Sequence, residues 1–371
     1  MSLQIEEVSS KKDLKKFIKF PFQLYKGNNA YVPPLIKFEM GTLLKEKNPS
    51  FENADARYWV MMKKGKIVGR IAALVLDHEL KEEQLARFGW IDFIDDYEVS
   101  SLLFDTAKKW TEGRGATAIH GPMGFTDLDF EGALTDGFDE LATQATIYNY
   151  PYYINHYKKW GMETSVSWTE MRGEVPKEVP RKVKRAASIV TSRFKLSVKK
   201  FKKTKDLLNY ASDVFEVLNA AYADLYGYHT LTPKQINYYV EQYFGFVRRE
   251  YICIVVNEND KVIGFGISFP SLSTAFQKAK GSLFPFGFIH ILRSFFFGKH
   301  IDLFLIGVLP EYQKMGATAL IVNDLCSTFI KKGIKYASLG PALDDNYAVL
   351  NTWREFQAEP KVRRSVFLKK F

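Results

Sequence analysis

The chain has 371 residues, 46% hydrophobic, 15% aromatic and 25% charged, a length that predicts two domains and a composition that excludes disordered, collagen-like and disulfide-scaffold classes. Its net charge of +10 sits in one place: residues 175–206 hold twelve Lys/Arg and two Asp/Glu, which leaves 40 of each sign elsewhere. The folded remainder is therefore neutral, and a nucleic-acid partner is not expected, because no basic folded face or interleaved aromatic platform accompanies the run.

In chain order, KDLKKFIKFPFQLY predicts an amphipathic helix interrupted near Pro21. YWVMMKKGKIVGRIAALVL predicts a hairpin turning at Lys64–Gly65, and GWIDFID a further strand. VSSLLFDTAKKWTEGRG predicts a helix stopped by Gly113 and Gly115, ATAIHGPMG a strand, PYYINHYKKWGM a short helix ending at Gly161, and SVSWTEMRG a strand. Pro176, Pro180 and the basic run then mark a boundary. Residues 1–174 are expected as one domain, 175–194 as a basic linker and 195–371 as a second domain. The linker reads first as a solvated segment, with attraction of a polyanion such as a CoA phosphate, an anionic membrane or RNA as the alternatives.

The second half repeats the order. FKLSVKKF predicts a strand, KDLLNYASDVFEVLNAAYADL a long helix, and YICIVVNENDKVIGFGISFP a hairpin turning on Asn257–Asp260. IDLFLIGVLP predicts a strand, ATALIVNDLCSTFIKKG a helix stopped by Gly333, IKYASLG a strand, NYAVLNTWREF a helix and VRRSVFLKKF the closing strand. The fold class expected is α/β (α+β): two copies of one plan, each a mixed, mostly antiparallel sheet flanked by helices.

The two cysteines, Cys253 and Cys326, lie in apolar runs without a CxxC partner and read as buried thiols. The six histidines are scattered, so no metal is expected. A polar N-terminus and the lack of about 18 consecutive apolar residues predict a cytoplasmic protein.

The stretch Ile306–Leu320, IGVLPEYQKMGATAL, carries the chemistry. A strand ends at Pro310, and the next turn opens a helix whose first N–H groups and dipole favour an anion. Gly316 lets a phosphate approach the backbone, and Lys314 adds a cation. VLPEYQKMGATAL resembles the acyl-CoA signature of the GNAT acyltransferases, with Val308, Pro310, Gln313 and Gly316 matching and Thr318 standing where Gly or Ala is usual. Asp345-Asn346 and the helix to Phe356 resemble the family's second conserved region. The resemblance implies that Leu305, Ile306, Gly307 and Val308 face the pantetheine arm, that Gln313, Lys314, Met315, Gly316, Ala317 and Thr318 hold the pyrophosphate, and that Asn346 joins them. It implies acetyl-CoA or a longer acyl-CoA as co-substrate and N-acyl transfer to a small-molecule or peptide amine by direct attack.

The first copy reads FIDDYEVSSLL at the matching turn, where Asp95, Asp96 and Glu98 would repel phosphate; it is expected to have the fold without the cofactor site. Its Tyr157 matches the tyrosine that protonates the departing thiolate in many relatives. In the second copy that place holds Trp353, and Gln357 replaces the usual Gly; Tyr347 is the substitute acid. Asp302 is the candidate base, with Asp344 and Asp345 as alternatives. Tyr226, Tyr228 and His229, in the loop bordering the acceptor site, are candidate substrate contacts. An acyl-CoA sensor or scaffold without catalysis is the alternative function. The segment 281–299, with six Phe, is expected as a buried helix; an acyl-chain wall and a peripheral membrane contact are its functional readings.

Overall fold

A computed structural model describes residues 3–371. The backbone divides into two compact units: the chain up to Thr169 with Ser273–Ile291 and Val362–Phe371, and Glu170–Leu272 with Leu292–Lys361. The elements in order are β1 (Gln4–Glu7), α1 (Lys11–Leu24), α2 (Ile36–Leu43), β2 (Ala54–Lys63), β3 (Lys66–Leu76), α3 (Asp77–Glu83), β4 (Leu85–Phe93), α4 (Tyr97–Glu112), β5 (Ala118–Gly121), β6 (Ala133–Asp136), α5 (Tyr152–Lys159) and β7 (Glu163–Glu174). They continue with α6 (Arg181–Phe194), β8 (Ser197–Lys199), α7 (Ala211–Tyr222), α8 (Pro233–Tyr243), β9 (Ile252–Val256), β10 (Val262–Pro270), α9 (Ser273–Ala279), α10 (Gly287–Phe297), β11 (His300–Val308), α11 (Pro310–Gln313), α12 (Ala317–Lys331), β12 (Tyr336–Leu343), α13 (Tyr347–Arg354) and β13 (Glu359–Lys370). Strands alternate with helices, and the sheets are mostly antiparallel, as the residue pattern predicts.

In the first unit β2, β3 and β4 run antiparallel, and β4 lies parallel to β5. The β2–β3 turn places Lys64 and Gly65 at φ of 54° and 70°, the left-handed pair that a tight hairpin requires. Ile71 to Leu76 are all buried because helices cover both faces of β3. Phe17 and Ile18 of α1 pack on Ala72 and Leu74. Leu103 and Phe104 of α4 pack on Ile71 and Ala73. Helix α1 is not interrupted at Pro21 but runs on to Leu24. The carbonyl that Pro21 leaves without an N–H partner, that of Phe17, instead accepts from the Arg70 guanidinium at 3.0 Å, which offsets the usual cost.

In the second unit β8, β9, β10 and β11 are antiparallel, and β11 pairs in parallel with β12. Helix α12 lies close over β10: a Cβ on Gly266 would stand 2.5 Å from Ile321 and 2.9 Å from Leu325. The opposite face carries α7, whose Ala221 approaches Gly307. The long helix expected over 205–225 starts as a 3-10 turn, Thr204–Tyr210, before α7 proper. Residues 181–194, expected as linker, form α6, which buries Ala187 and Val190 and packs on α12.

The buried-helix expectation for 281–299 is overturned. Residues 287–297 are helical, but Phe284, Phe286, Phe296 and Phe297 are exposed, as are Phe288, Ile289 and Leu292. Only Gly287 and Ile291 of α10 are buried, because its inward face is one narrow stripe at four-residue spacing.

Candidate functional site

The site is assembled on β11 and the turn that follows it. After Val308 the chain makes the single turn α11, and Gly316 then takes φ +78°, ψ 23° as the N-cap of α12. Only a residue tolerant of the left-handed region fits there, and a Cβ would already meet Val190 of α6 at 3.4 Å. Gly316 has no side chain with which to cap α12, so the first N–H groups of a 15-residue helix face outward together with its positive dipole end. Gln313 closes the turn by donating from Nε2 to the Val308 carbonyl at 3.1 Å. Lys314 is exposed beside it, Ala317 is buried, and Thr318 is half-buried. The turn that the motif marks is thus built as an anion cradle.

The strand feeding this turn offers one free edge. Leu305, Ile306, Gly307 and Val308 pair with Ile267, Gly266, Phe265 and Gly264 on one side. On the other side the ladder with β12 runs only from His300–Tyr336 to Leu303–Leu339, although both strands continue. A β-bulge at Phe304 ends the regular register, because Leu303 and Leu305 oppose consecutive residues of β10. Where the ladder stops, a cleft opens, lined by Leu303, Ile306, Cys326, Phe329, Leu339, Trp353 and Phe356. Its walls are apolar, which suits a pantetheine or acyl chain rather than a sugar or ion. Burial pushes the Cys326 thiol up to about 11, so this cysteine is protonated at neutral pH and is no nucleophile.

Trp353 is buried in the cleft wall and supplies an apolar surface, not an acid. Asn346 caps α13, accepting from the Val349 N–H at 3.3 Å. Tyr347, at the first position of that helix, is 67% exposed and is not among the residues lining the cleft. Asp345 is exposed and Asp344 half-buried.

Asp302 lies on β11 next to Leu303, on the other face of the strand. It is buried, and neither carboxylate oxygen makes a well-formed hydrogen bond, although the Ser271 and Ser338 hydroxyls lie near enough to favour its charged form. Burial raises its pKa to about 7; Ser271 and Arg172 oppose this, and the Glu170 carboxylate adds to it. His300 Nε2 stands 3.6 Å from Asp302 and 2.7 Å from the Ser338 hydroxyl, with its own side chain 40% exposed. Burial and then Arg172 lower His300 to about 4, so it is neutral and this contact is not an ion pair at pH 7. A buried carboxylate poised near neutrality, with a neutral imidazole between it and solvent, is the arrangement expected of a proton acceptor. His300, Ser338, Arg172 and Glu170 come from three strands far apart in sequence; no local spacing marks them.

The loop after α7 is tied down by Asn219, which accepts from the Tyr228 hydroxyl at 2.6 Å and the Leu231 N–H at 2.9 Å. Tyr228 meets Tyr222 edge-on at 5.7 Å, and the Tyr222 hydroxyl donates to the Ile306 carbonyl at 3.2 Å. Tyr226, Tyr228 and His229 are all half-buried, and this chain of contacts links Tyr228 to β11 through Tyr222, a residue that no sequence motif marks. Further along the same face, Phe304 packs against Tyr243 and Phe269 at 5.9 and 5.6 Å.

The first unit has the same β4–α4 connection but a different end to it. Asp96 caps α4 itself, accepting from the Glu98 N–H at 3.1 Å, while Lys63 binds the same carboxylate at 2.8 Å. The place of a bound anion is taken by a side chain. Beside β4 the chain after β5 folds back, and the Met123 N–H donates to the Phe88 carbonyl at 2.8 Å, so no cleft edge is left there. A Cβ on Gly89 would meet the Met123 carbonyl oxygen at 2.4 Å. Tyr157 is 1% exposed in the core against Phe88, Phe104 and Phe367, and its burial holds the phenol well above its ordinary range.

Among the described residues no group of three or more His, Cys, Asp or Glu is placed to hold a metal ion, and no helix is long and apolar enough to cross a membrane.

Comparison with known proteins bears on the fold. Residues 213–356 match the Acetyltransferase (GNAT) family. Across 97% of its length the chain is 27% identical to protein YghO of Escherichia coli K12, covering 93% of that protein. Over 78% of its length it is 24% identical to the bacterial ceramide synthase of Caulobacter vibrioides, covering 76% of that enzyme. Among solved structures, a tandem GNAT protein from the clavulanic acid biosynthesis pathway superposes with a TM-score of 0.59 at 13% identity, covering all of this chain and 98% of that one. A GCN5-related glucosamine N-acetyltransferase region of a fungal multi-domain β-N-acetylglucosaminidase gives 0.60 at 14% identity, covering 99% of this chain and 38% of that one. Residues 213–356 thus resemble the GNAT acetyltransferases, and the chain shares its fold with a tandem GNAT protein.

Proposed function

We propose that the second unit is an acyl-CoA-dependent N-acyltransferase whose acceptor is the amine of an apolar, long-chain molecule. The observation that carries this is the convergence on β11 of three features: an uncapped helix start at Gly316, an unpaired strand edge opening on an apolar cleft, and a buried carboxylate near neutrality on the opposite face. The turn fits a pyrophosphate by its N–H groups, and the cleft fits a pantetheine arm by its unpaired edge and apolar walls; no metal is required. Residues Leu305–Val308 would hold the arm, and Gln313–Thr318 the phosphates.

Asp302 takes a proton from the acceptor ammonium, and the freed amine attacks the thioester carbonyl directly. A β11 N–H at the bulge stabilises the developing oxyanion. The attack forms the C–N bond; collapse then breaks the C–S bond. The nitrogen gives its second proton to solvent, and the departing thiolate takes one from solvent to leave as CoA thiol, because Trp353 supplies none. The aromatic lining on the acceptor face, Tyr243, Phe269 and Phe304, favours an apolar acceptor. So does the likeness to a ceramide synthase, since ceramide is an N-acylated long-chain base. The protein reads as acting at the cytoplasmic side, where acyl-CoA is made.

The test is release of free thiol from acyl-CoAs of graded length with long-chain amino alcohols, short amines and peptides as acceptors. Thiol release matched by amide formation with the long-chain amines supports the reading. Saturable CoA binding without release under any acceptor would leave the sensor reading in its place.

A further inference from the structure

The connection between the third and fourth strands of each unit differs sharply. In the first it is residues 77–84; in the second it is 271–299, carrying α9 and α10. A surface helix normally turns its polar side outward. Helix α10 does the reverse: its outward positions are Phe288, Ile289, Leu292, Arg293, Phe296 and Phe297, and Phe284 and Phe286 precede it. Phe284, Phe286 and Phe297 are 76%, 70% and 74% exposed, too many large apolar groups in one run to be ordinary surface scatter.

The charges within this stretch of chain have one sign. From Lys261 to Ile301 there is no Asp or Glu. Lys278, Lys280, Arg293 and Lys299 are exposed within that stretch. Arg248 lies over the Phe295 and Phe296 rings at 4.7 and 5.5 Å, placing a further cation at the apolar edge. Exposed aromatics accompanied by these cations complement a surface that is apolar beneath and negative on top. We infer that residues 284–297 form an interfacial anchor that seats this protein on an anionic phospholipid bilayer, the phenyl rings entering the acyl boundary and the cations meeting headgroup phosphates. The helix has 11 residues and lies in the interface; it does not span. This inference stands on exposure and charge and does not need the acyl-transfer reading.

The experiment is flotation of the full chain with vesicles of mixed phosphatidylglycerol and phosphatidylcholine, and with phosphatidylcholine alone. The expected result is binding to the mixed vesicles, weakened by salt, and much less to phosphatidylcholine. Phe286→Ser with Phe297→Ser should cut that binding at least about tenfold. Because both rings are exposed, its melting temperature should stay within about two degrees of wild type. Should that variant misfold, Lys280→Glu with Lys299→Glu replaces it and should abolish the preference for phosphatidylglycerol. Absence of vesicle binding overturns the inference, as does undiminished binding by the folded variants. A concentration-dependent dimer that the Phe variant dissociates, without vesicle binding, would assign the patch to a second copy of the chain instead. No thioester or amine enters the assay, so its outcome is separate from that of the activity test.

Discussion

At the residue scale, Asp302 makes the sharpest demand. With its pKa raised to about 7, the base form grows in as pH rises, so kcat/KM should climb through neutrality and level off above it. Asp302→Asn should flatten that profile and lower the plateau by roughly 10² or more. The stability sign runs the other way. A carboxyl whose folded pKa lies above its unfolded value binds its proton more tightly when native, so stability is greatest below about pH 4 and is lost as pH rises toward about 7, at most about 1.4 kcal/mol per pH unit from this group. The Asn variant should therefore gain on wild type between pH 5 and 8 in denaturant melts, and a variant that loses equally at both ends would show that burial is not what perturbs Asp302. Tyr347→Phe, by contrast, should change kcat less than about threefold, because an exposed phenol away from the cleft has no thiolate to protonate. Residues in one local motif, Val308 through Thr318, could be read from sequence because strand, turn and helix start are contiguous. His300, Ser338 and Arg172 could not, since their meeting depends on which strands become neighbours.

At the scale of elements, the turn into α12 separates charge from shape. Gly316→Asn and Gly316→Asp both fill the left-handed position with residues that tolerate it, and they are nearly the same size. Asparagine should leave much of the CoA affinity; aspartate puts a carboxylate where the proposed site would hold phosphate. Calorimetry should show the Asp variant weaker than the Asn variant by at least about tenfold, roughly 1.4 kcal/mol. Equal affinities would mean that CoA does not use this helix end. Elements with strong local signals were readable: both hairpins, α4, and the β11–α12 pair. Helix α8 was missed although Thr232, Pro233 and Gln235 form a capping box with proline at the first position, a start signal that the aromatic loop before it obscured. The α1 break expected at Pro21 failed for a tertiary reason, since only the folded sheet brings Arg70 to the Phe17 carbonyl. Helix α6 carries little local signal, because a dense run of cations masks an inward face of only two buried positions, Ala187 and Val190.

At the scale of the whole molecule, the repeat of one strand–helix plan was legible, but the membership of the units was not. Prolines and a charge run suggest a cut near residue 175, whereas the first unit also owns Val362–Phe371 from the far end of the chain. There β13 pairs with β5, setting Phe367 against Gly121 and Lys370 against Ala118, and with β6 through Arg364 and Ser365. Phe367 is 1% exposed and meets Tyr157 at 5.1 Å in the main core of that unit. Arg364 is 2% exposed and donates to the Ile147 carbonyl. Nothing in a local pattern announces a strand whose partners lie more than two hundred residues earlier. The consequence is testable. A fragment of residues 1–174 lacks a sheet strand and a fully buried phenyl, and losing such a ring alone costs about 3–5 kcal/mol, a large share of a domain's stability. The fragment should therefore be loosely packed, with broad thermal unfolding and dye binding. Joining residues 360–371 to it through a flexible Gly/Ser linker should restore part of the cooperative transition, and the same linker carrying Phe367→Ala should not. A fragment 1–174 that melts as sharply as the full chain would mean that the first unit closes its sheet without β13.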